Sequence, residues 1–158
     1  MKLKVQALTA EAFAPYGTFV NMHDVNADGK TVFQPDRMLQ YLGTSTYMSL
    51  STLRVYPRPL ELTETEYHDD CEEVFGGYGV DMLFHVALMG EDGGPNLDTI
   101  AVFKMPKGTF CRVKRRVFHH APFVCDDNYA DGTVLLSPAA YTTDCLLIDF
   151  DTPIEIEM

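Results

Sequence analysis

The segment from Val80 to Met89 constrains the fold of this chain more than any other stretch. Its residues, VDMLFHVALM, are apolar on both alternating faces apart from Asp81 and His85. A strand with two apolar faces is typical of the buried wall of a sandwich or barrel. We therefore predict a central strand here, against which the other elements pack.

The rest of the chain divides into short β-prone segments separated by turn residues. Further strands are predicted at Lys2 to Leu8, Thr18 to Asn21, Tyr47 to Tyr56, CEEVF (71–75), Thr99 to Met105, Phe110 to His120, Thr133 to Ser137 and Asp144 to Phe150. Thr9 is a predicted helix N-cap, His23 to Pro35 a surface loop, and Asp131-Gly132 a hairpin turn. Glu61 to Asp70 has no clear pattern.

Strands punctuated by turns roughly every 8 to 12 residues, with little helical periodicity, are typical of all-β sandwiches and barrels. A length of 158 residues suits one domain, 1–158, with its own core. We predict a cupin-type jelly-roll barrel or sandwich with a few short helices. Barrels of this kind can hold a small ligand or a metal ion in the mouth.

Composition excludes several classes of protein. The 23 Asp and Glu residues against 12 Lys and Arg give a net charge of -11, which disfavours nucleic acid as a partner. No apolar run approaches the roughly 20 residues of a membrane span, and the N-terminal segment lacks the apolar core of a secretory signal. The four cysteines are widely spaced, as expected of free thiols. We expect a cytoplasmic protein without membrane association.

Basic residues are concentrated between Lys104 and Phe123. The segment KMPKGTFCRVKRRVFHHAPF holds six of the chain's 12 Lys and Arg residues and two of its five histidines. A local positive charge in an acidic protein suits a small anion. Alternatively, these residues protect a solvated strand edge against pairing with a neighbouring chain.

In a continuous strand over this segment, Arg115 and His119 lie on one face. The same face carries Cys111, Val113 and Val117, and this apolar character indicates the interior. Burying Arg115 is costly unless it meets an anion, and its guanidinium fork fits a carboxylate. The alternative is a core in which Arg115 pairs with Glu73 or Asp81.

His68 and Glu73 are a candidate pair for metal binding or proton transfer. Cupins commonly place His, His and Glu ligands on one strand pair and another His on a later strand. Here His68, Glu73 and His119 are the candidate metal ligands. Asp69, Glu72 or His85 are the residues that can fill the remaining position. His85, alone on an apolar strand, is also typical of a hydrogen-bonded core histidine.

Several motifs together resemble the ureidoglycolate lyase family, which has the cupin fold and about this length. They are LTAEAFAPYG (8–17), EYH (66–68), EEVF (72–75), VALMGEDGGPNLDTI (86–100), RRVFHHAPF (115–123) and LLIDF (146–150). The family typically has H-R-N-V-W-H-H where this chain has Lys114 to His120. Lys114 replaces the first His of that motif and Arg116 its Asn, and Glu73 stands where the family often has Gln.

The resemblance implies cleavage of ureidoglycolate to glyoxylate and urea by a homodimeric carbon–nitrogen lyase that uses a divalent metal, nickel or manganese. The reaction needs a cation for the substrate carboxylate, a base for its hydroxyl and an acid for the departing nitrogen. We assign Arg115, helped by Lys114, to the carboxylate. His119 or His120 is the base, and His68 and Glu73 supply the acid or bind the metal.

Two other functions fit the same residues. Lys114 in place of the family's His is compatible with a non-catalytic cupin that binds a small anion or a sugar acid. A metal-dependent isomerase or dioxygenase on the same fold is the third reading, because fold alone does not determine function.

Overall fold

The chain is almost entirely β-structure. The computed structural model describes residues 1–24, 32–126 and 128–158. Its helices are α1 (Ala10–Phe13) and α2 (Ala140–Thr143). Its strands are β1 (Lys2–Ala7), β2 (Gly17–Asn21), β3 (Ser49–Val55), β4 (Glu61–Tyr67), β5 (Glu73–Gly76), β6 (Met82–Ala87), β7 (Ala101–Met105), β8 (Thr109–Val113), β9 (Phe118–His119), β10 (Phe123–Val124), β11 (Ala130–Leu136) and β12 (Leu146–Glu157). Most of the predicted loop from His23 to Pro35 lies outside the described residues.

The strands form a closed barrel and a second sheet. The barrel order is β6-β7-β1-β12-β4-β9, and β9 pairs back to β6, which also carries β10. The second sheet has the order β2-β8-β5-β11-β3. Most pairs are antiparallel, but β1 runs parallel to both β12 and β7. The prediction of an all-β barrel or sandwich is therefore confirmed at that level.

Strand β6 separates two apolar cores, as the sequence predicted for a central strand. All six of its residues are buried. Phe84 and Val86 pack with residues of the second sheet such as Phe75 and Val134. Leu83, on the opposite face, packs inside the barrel with Leu62 and other residues of the barrel strands. His85 has the same parity as Leu83 and therefore belongs to the barrel side.

The short helix α1 begins as predicted. The Thr9 hydroxyl accepts a hydrogen bond from the backbone N–H of Ala12, which satisfies one of the free amides of the first turn.

Among the described residues, no helix is long and apolar enough to cross a membrane.

The prediction of one strand from Phe110 to His120 is wrong. Strand β8 ends at Val113 in the second sheet, and β9 begins at Phe118 in the barrel. Between them Arg116 adopts a left-handed backbone conformation with φ of 60°, and its N–H donates to the carbonyl of His68. This turn interrupts the two-residue alternation, so residues before and after it do not share a face.

The hairpin turn predicted at Asp131-Gly132 is also wrong, because both residues lie inside β11 and pair with Arg54 and Leu53. A Cβ on Gly132 would lie 2.3 Å from the Tyr78 ring, so this glycine permits a close approach of that ring rather than a turn.

The strand predicted at Asp144 to Phe150 and the alternating tail PIEIEM, predicted as an edge strand, form one strand, β12, whose first part is less buried than expected. Leu146 and Leu147 are 44% and 53% exposed, although the apolar run LLIDF suggested a buried strand. Glu61 to Tyr67, which had no clear pattern, forms β4 and pairs with β12.

Candidate metal centre

Four side chains converge between the barrel and the second sheet. Glu66 lies on β4, His68 just after it, Glu73 on β5 and His119 on β9. One ligand atom from each lies within 4.8 Å of those of the other three. Glu66 is opposite His119 in the strand register, and His119 is opposite Val86, so all three face the same side of the barrel wall.

The hydrogen bonds of the two imidazoles fix how each ring is presented. Nδ1 of His68 lies 2.8 Å from the carbonyl oxygen of Asp144, and Nδ1 of His119 lies 2.8 Å from that of Val117. Because a carbonyl oxygen only accepts, each Nδ1 must carry the proton and donate it. Both Nε2 atoms are therefore directed to the cluster, as in metal-bound histidines whose other nitrogen is anchored to the backbone.

Both Nε2 atoms approach the same carboxylate oxygen. Oε2 of Glu73 is 3.0 Å from Nε2 of His68 and 3.5 Å from Nε2 of His119, which has no hydrogen-bond partner among the described residues. A neutral imidazole with its proton on Nδ1 would turn a lone pair towards this oxygen. The arrangement therefore requires a positive charge between these atoms, either protons on Nε2 or a metal ion.

The charges of these side chains follow from this geometry. Burial favours the neutral form of Glu73, but the close approach of His119 and the hydrogen bond and charge of His68 outweigh it and lower the pKa of Glu73 to about 2. Burial lowers the pKa of His119, yet the Glu73 carboxylate has the stronger combined effect and raises that pKa above its ordinary value. Glu73 is thus held as an anion, the form that binds a cation.

The donor set fits a divalent metal ion. Two imidazole nitrogens and two carboxylates can hold zinc, nickel, manganese or iron, and both charges of such an ion are balanced by Glu66 and Glu73. His68 and His119 are each 2% exposed and Glu73 is 8% exposed, so an isolated charge here would be costly. The metal ligands predicted at His68, Glu73 and His119 are brought together as expected.

Glu66 is the member of the cluster that the sequence reasoning missed. Its Oε2 accepts a hydrogen bond from the Cys145 thiol over 2.9 Å. Burial and the Glu66 carboxylate raise the pKa of Cys145 to about 12, so the thiol stays protonated as a donor. The available signal was the spacing Glu66-Tyr67-His68, which puts the two polar side chains on the same face of an extended segment.

The other candidates for the fourth ligand lie elsewhere. Asp69 pairs with Arg116 in the turn between β8 and β9. Glu72 accepts from the N–H of Tyr41 and lies 3.5 Å from Arg112. His85 lies on the barrel side, where its Nε2 is hydrogen-bonded to Thr65. The prediction of a hydrogen-bonded core histidine is therefore confirmed for Nε2, whereas Nδ1 has no partner among the described residues.

Neither residue assigned to the substrate carboxylate reaches the cluster. Arg115 is exposed, and its guanidinium carbon lies 4.9 Å from the centre of the Tyr41 ring. The Nζ of Lys114 donates to the carbonyls of Ala14 and Pro15 over 2.7 and 3.0 Å, where it fixes the end of α1. The expectation that Arg115 and His119 share an interior face is corrected, because the turn at Arg116 separates them.

The pairing of Arg115 with Glu73 or Asp81, the alternative for a satisfied core, is also absent. Asp81 instead pairs with Lys104 over 3.0 Å. His120 follows His119 but points away from the cluster, with its Nε2 3.6 Å from Glu64. The structure thus brings His68, Glu73 and His119 together and separates them from His120, Arg115 and Lys114.

A second group of possible ligands, His68, Cys71 and Asp144, has a structural role. The carboxylate of Asp144 accepts hydrogen bonds from the backbone N–H groups of Asp69, Asp70 and Cys71. These bonds hold the loop between β4 and β5, and so place His68 and Glu73 relative to each other. Burial raises the pKa of Cys71, which keeps its thiol protonated.

Comparison with known proteins did not identify a family. No family model matches the chain, and no curated protein matches it either.

Proposed function

We propose that this protein is a metal-dependent carbon–nitrogen lyase of the cupin type that acts on ureidoglycolate or a closely related small carboxylate. The observation that carries the metal centre is the convergence of Glu66, His68, Glu73 and His119 with both Nδ1 atoms anchored to the backbone. The choice of substrate rests on the sequence resemblance to ureidoglycolate lyases. The barrel with its second sheet supports the cupin assignment.

We assign His68, Glu73 and His119 to the metal and Glu66 to proton transfer. These three residues are the most buried of the cluster and form a set of two histidines and one carboxylate. Glu66 is the least buried member of the cluster, and part of this residue faces solvent. When bound, a divalent ion supplies the positive charge that holds a substrate carboxylate and acidifies a hydroxyl group. Arg115 and Lys114 are then not required for this task.

Cleavage of ureidoglycolate needs one proton to move between two atoms. The substrate loses its hydroxyl proton, the carbon–nitrogen bond breaks, and the departing urea nitrogen gains a proton. Oε1 of Glu66 can take the first proton and return it to the nitrogen, so a single carboxylate serves as base and then as acid. The S–H of Cys145 holds Oε2 of Glu66 and thereby orients the other oxygen.

The test is release of glyoxylate from ureidoglycolate by the purified protein, with and without added nickel or manganese. We expect release above the spontaneous rate only in the metal-loaded protein. Glu66→Gln should reduce kcat by about 100-fold or more, since it removes the proton carrier. Glu11→Gln, an exposed glutamate of α1, is the matched control and should have no effect.

Other outcomes point to the alternatives. A metal-loaded protein that releases no glyoxylate refutes the lyase. If ureidoglycolate still raises its melting temperature, a binding module is favoured. The predicted homodimer and the cytoplasmic location stay predictions, and sedimentation velocity measures the former directly.

A further inference from the structure

A cavity lies on the barrel side of the strands, away from the candidate metal centre. Its volume is about 160 Å³, and its polar lining residues include Arg58, Glu61, Glu64, His85 and His120. Since one water molecule occupies about 30 Å³ of liquid, this space can hold a ligand of roughly five to eight heavy atoms. His119 and His120 therefore serve different sites although they are adjacent in the chain.

His85, one of the lining residues of this cavity, carries an unsatisfied hydrogen-bond acceptor. The Thr65 hydroxyl donates its only hydrogen to the carbonyl of His119, so it must accept from Nε2–H of His85 over 2.9 Å. Nδ1 of His85 is then unprotonated, because burial lowers the pKa of this imidazole to about 3. His85 is 1% exposed, and its Nδ1 has no partner among the described residues. A buried acceptor of this kind needs an N–H or O–H donor.

The rim of the cavity carries opposite charges. The Arg58 guanidinium stacks on Phe123 at 4.0 Å and donates one N–H to the carbonyl of Ala121 over 2.5 Å. The group is thus held in place, with further N–H donors for an anion. Glu61 and Glu64 also line the cavity, and Glu64 lies 3.6 Å from Nε2 of His120; within the described part of the chain neither glutamate forms an ion pair with Arg58. The cavity therefore offers separate partners for a carboxylate and for an ammonium group.

We propose that this cavity binds a small zwitterionic α-amino acid. Arg58 holds the carboxylate, while Nδ1 of His85 and the Glu64 carboxylate accept from the ammonium group. The apolar side chains of Leu62 and Phe123 leave room for a short aliphatic substituent, so alanine matches the volume better than a long amino acid. This site is separate from the metal centre and does not depend on the proposed lyase activity.

The test is calorimetric titration of the full-length protein with L-alanine, before and after removal of metal by a chelator. We expect one saturable site that is present in both forms. Arg58→Gln should weaken binding by at least about tenfold, because it removes a charge-assisted contact. Arg54→Gln is the matched control, since Arg54 pairs with Asp131 on the second sheet. Acetate or methylammonium alone should bind much more weakly.

A spectroscopic readout separates a specific site from water in a polar cavity. Nitrogen NMR of the His85 ring should show a lone pair on Nδ1, and L-alanine should shift that resonance as it donates a hydrogen bond. No saturable heat, equal affinities in Arg58→Gln and Arg54→Gln, or an Nδ1 resonance that L-alanine leaves unchanged would each overturn the proposal.

Discussion

His68 donates its Nδ1–H to the main-chain carbonyl of Asp144 over 2.8 Å, while the carboxylate of the same aspartate binds three backbone amides of the following loop. One residue therefore fixes both the imidazole and the segment that leads to Glu73. Burial opposes the charge on Asp144, but the three amides prevail and lower the pKa of its carboxyl group. The candidate metal centre thus depends on a residue outside the proposed ligand set.

Asp144→Ala should destabilise the protein and weaken its metal binding. Water can replace the contacts of the exposed Asp69 and Asp70 amides, but the part-buried N–H of Cys71 loses its partner, and we expect a decrease of roughly 1 to 3 kcal/mol in the free energy of unfolding. Chemical denaturation measures the loss of stability, and metal titration of the folded variant measures the loss of metal affinity. Asp149→Ala, an exposed aspartate of β12, is the control. Equal stability of the two variants would show that the loop is held by other contacts.

Acid should destabilise the protein through His85. Its pKa is about 3 in the folded protein, whereas the ordinary value is 6.5. Between these values the unfolded chain binds more protons, so the free energy of unfolding falls as the pH decreases from about 6.5 to about 3. The full loss for such a shift is on the order of 5 kcal/mol. Above pH 6.5 this contribution to stability is fully present.

Denaturation of the metal-free protein at several pH values tests the role of His85. His85→Leu should lose less stability on acidification than the parent protein, because it has no imidazole to protonate. His23→Gln changes an exposed histidine and should follow the parent. If His85→Leu showed the same pH dependence as the parent, other buried groups would carry it.

Two glycines provide a matched test of the packing. A Cβ at Gly17, where β2 begins, would lie 1.9 Å from the backbone oxygen of Arg112 in β8. Gly17→Ala should therefore push the two strands apart and cost about 3 kcal/mol. Gly79 is exposed and has no atom within 4 Å of such a Cβ, so Gly79→Ala should change stability by less than about 0.5 kcal/mol. Similar melting temperatures for the two variants would refute this β2–β8 contact.

The sequence predicted the strands whose patterns are local. The doubly apolar segment around Phe84 defined β6, and the Thr9 cap defined α1, because burial on both faces and capping act within a few residues. The hairpin turn was wrongly predicted at Asp131-Gly132 because, in the sequence, a glycine that accommodates the Tyr78 ring looks the same as a turn glycine. That distinction depends on a long-range contact that no local pattern contains.

The candidate site was predicted in its chemistry but not in its geometry. His68, Glu73 and His119 were identified from residue types and spacing, and they converge. Arg115 was assigned to the interior by extending the alternation through Arg116, whose left-handed conformation ends the strand. Glu66 was overlooked because its neighbours in the cluster come from strands distant in the sequence: His119 lies on β9, which pairs with β4, and Glu73 lies on β5 of the second sheet.

Metal titration tests the central claim most directly. The protein, stripped with a chelator, should bind one equivalent of nickel at His68, Glu73 and His119, with Glu66 beside the ion. His119→Gln should reduce the affinity at least about 100-fold, since even losing a residue that only orients a ligand costs 10- to 100-fold. His23→Gln should bind like the parent. Absence of stoichiometric binding, or equal affinity of the two variants, would contradict the assignment of a metal centre.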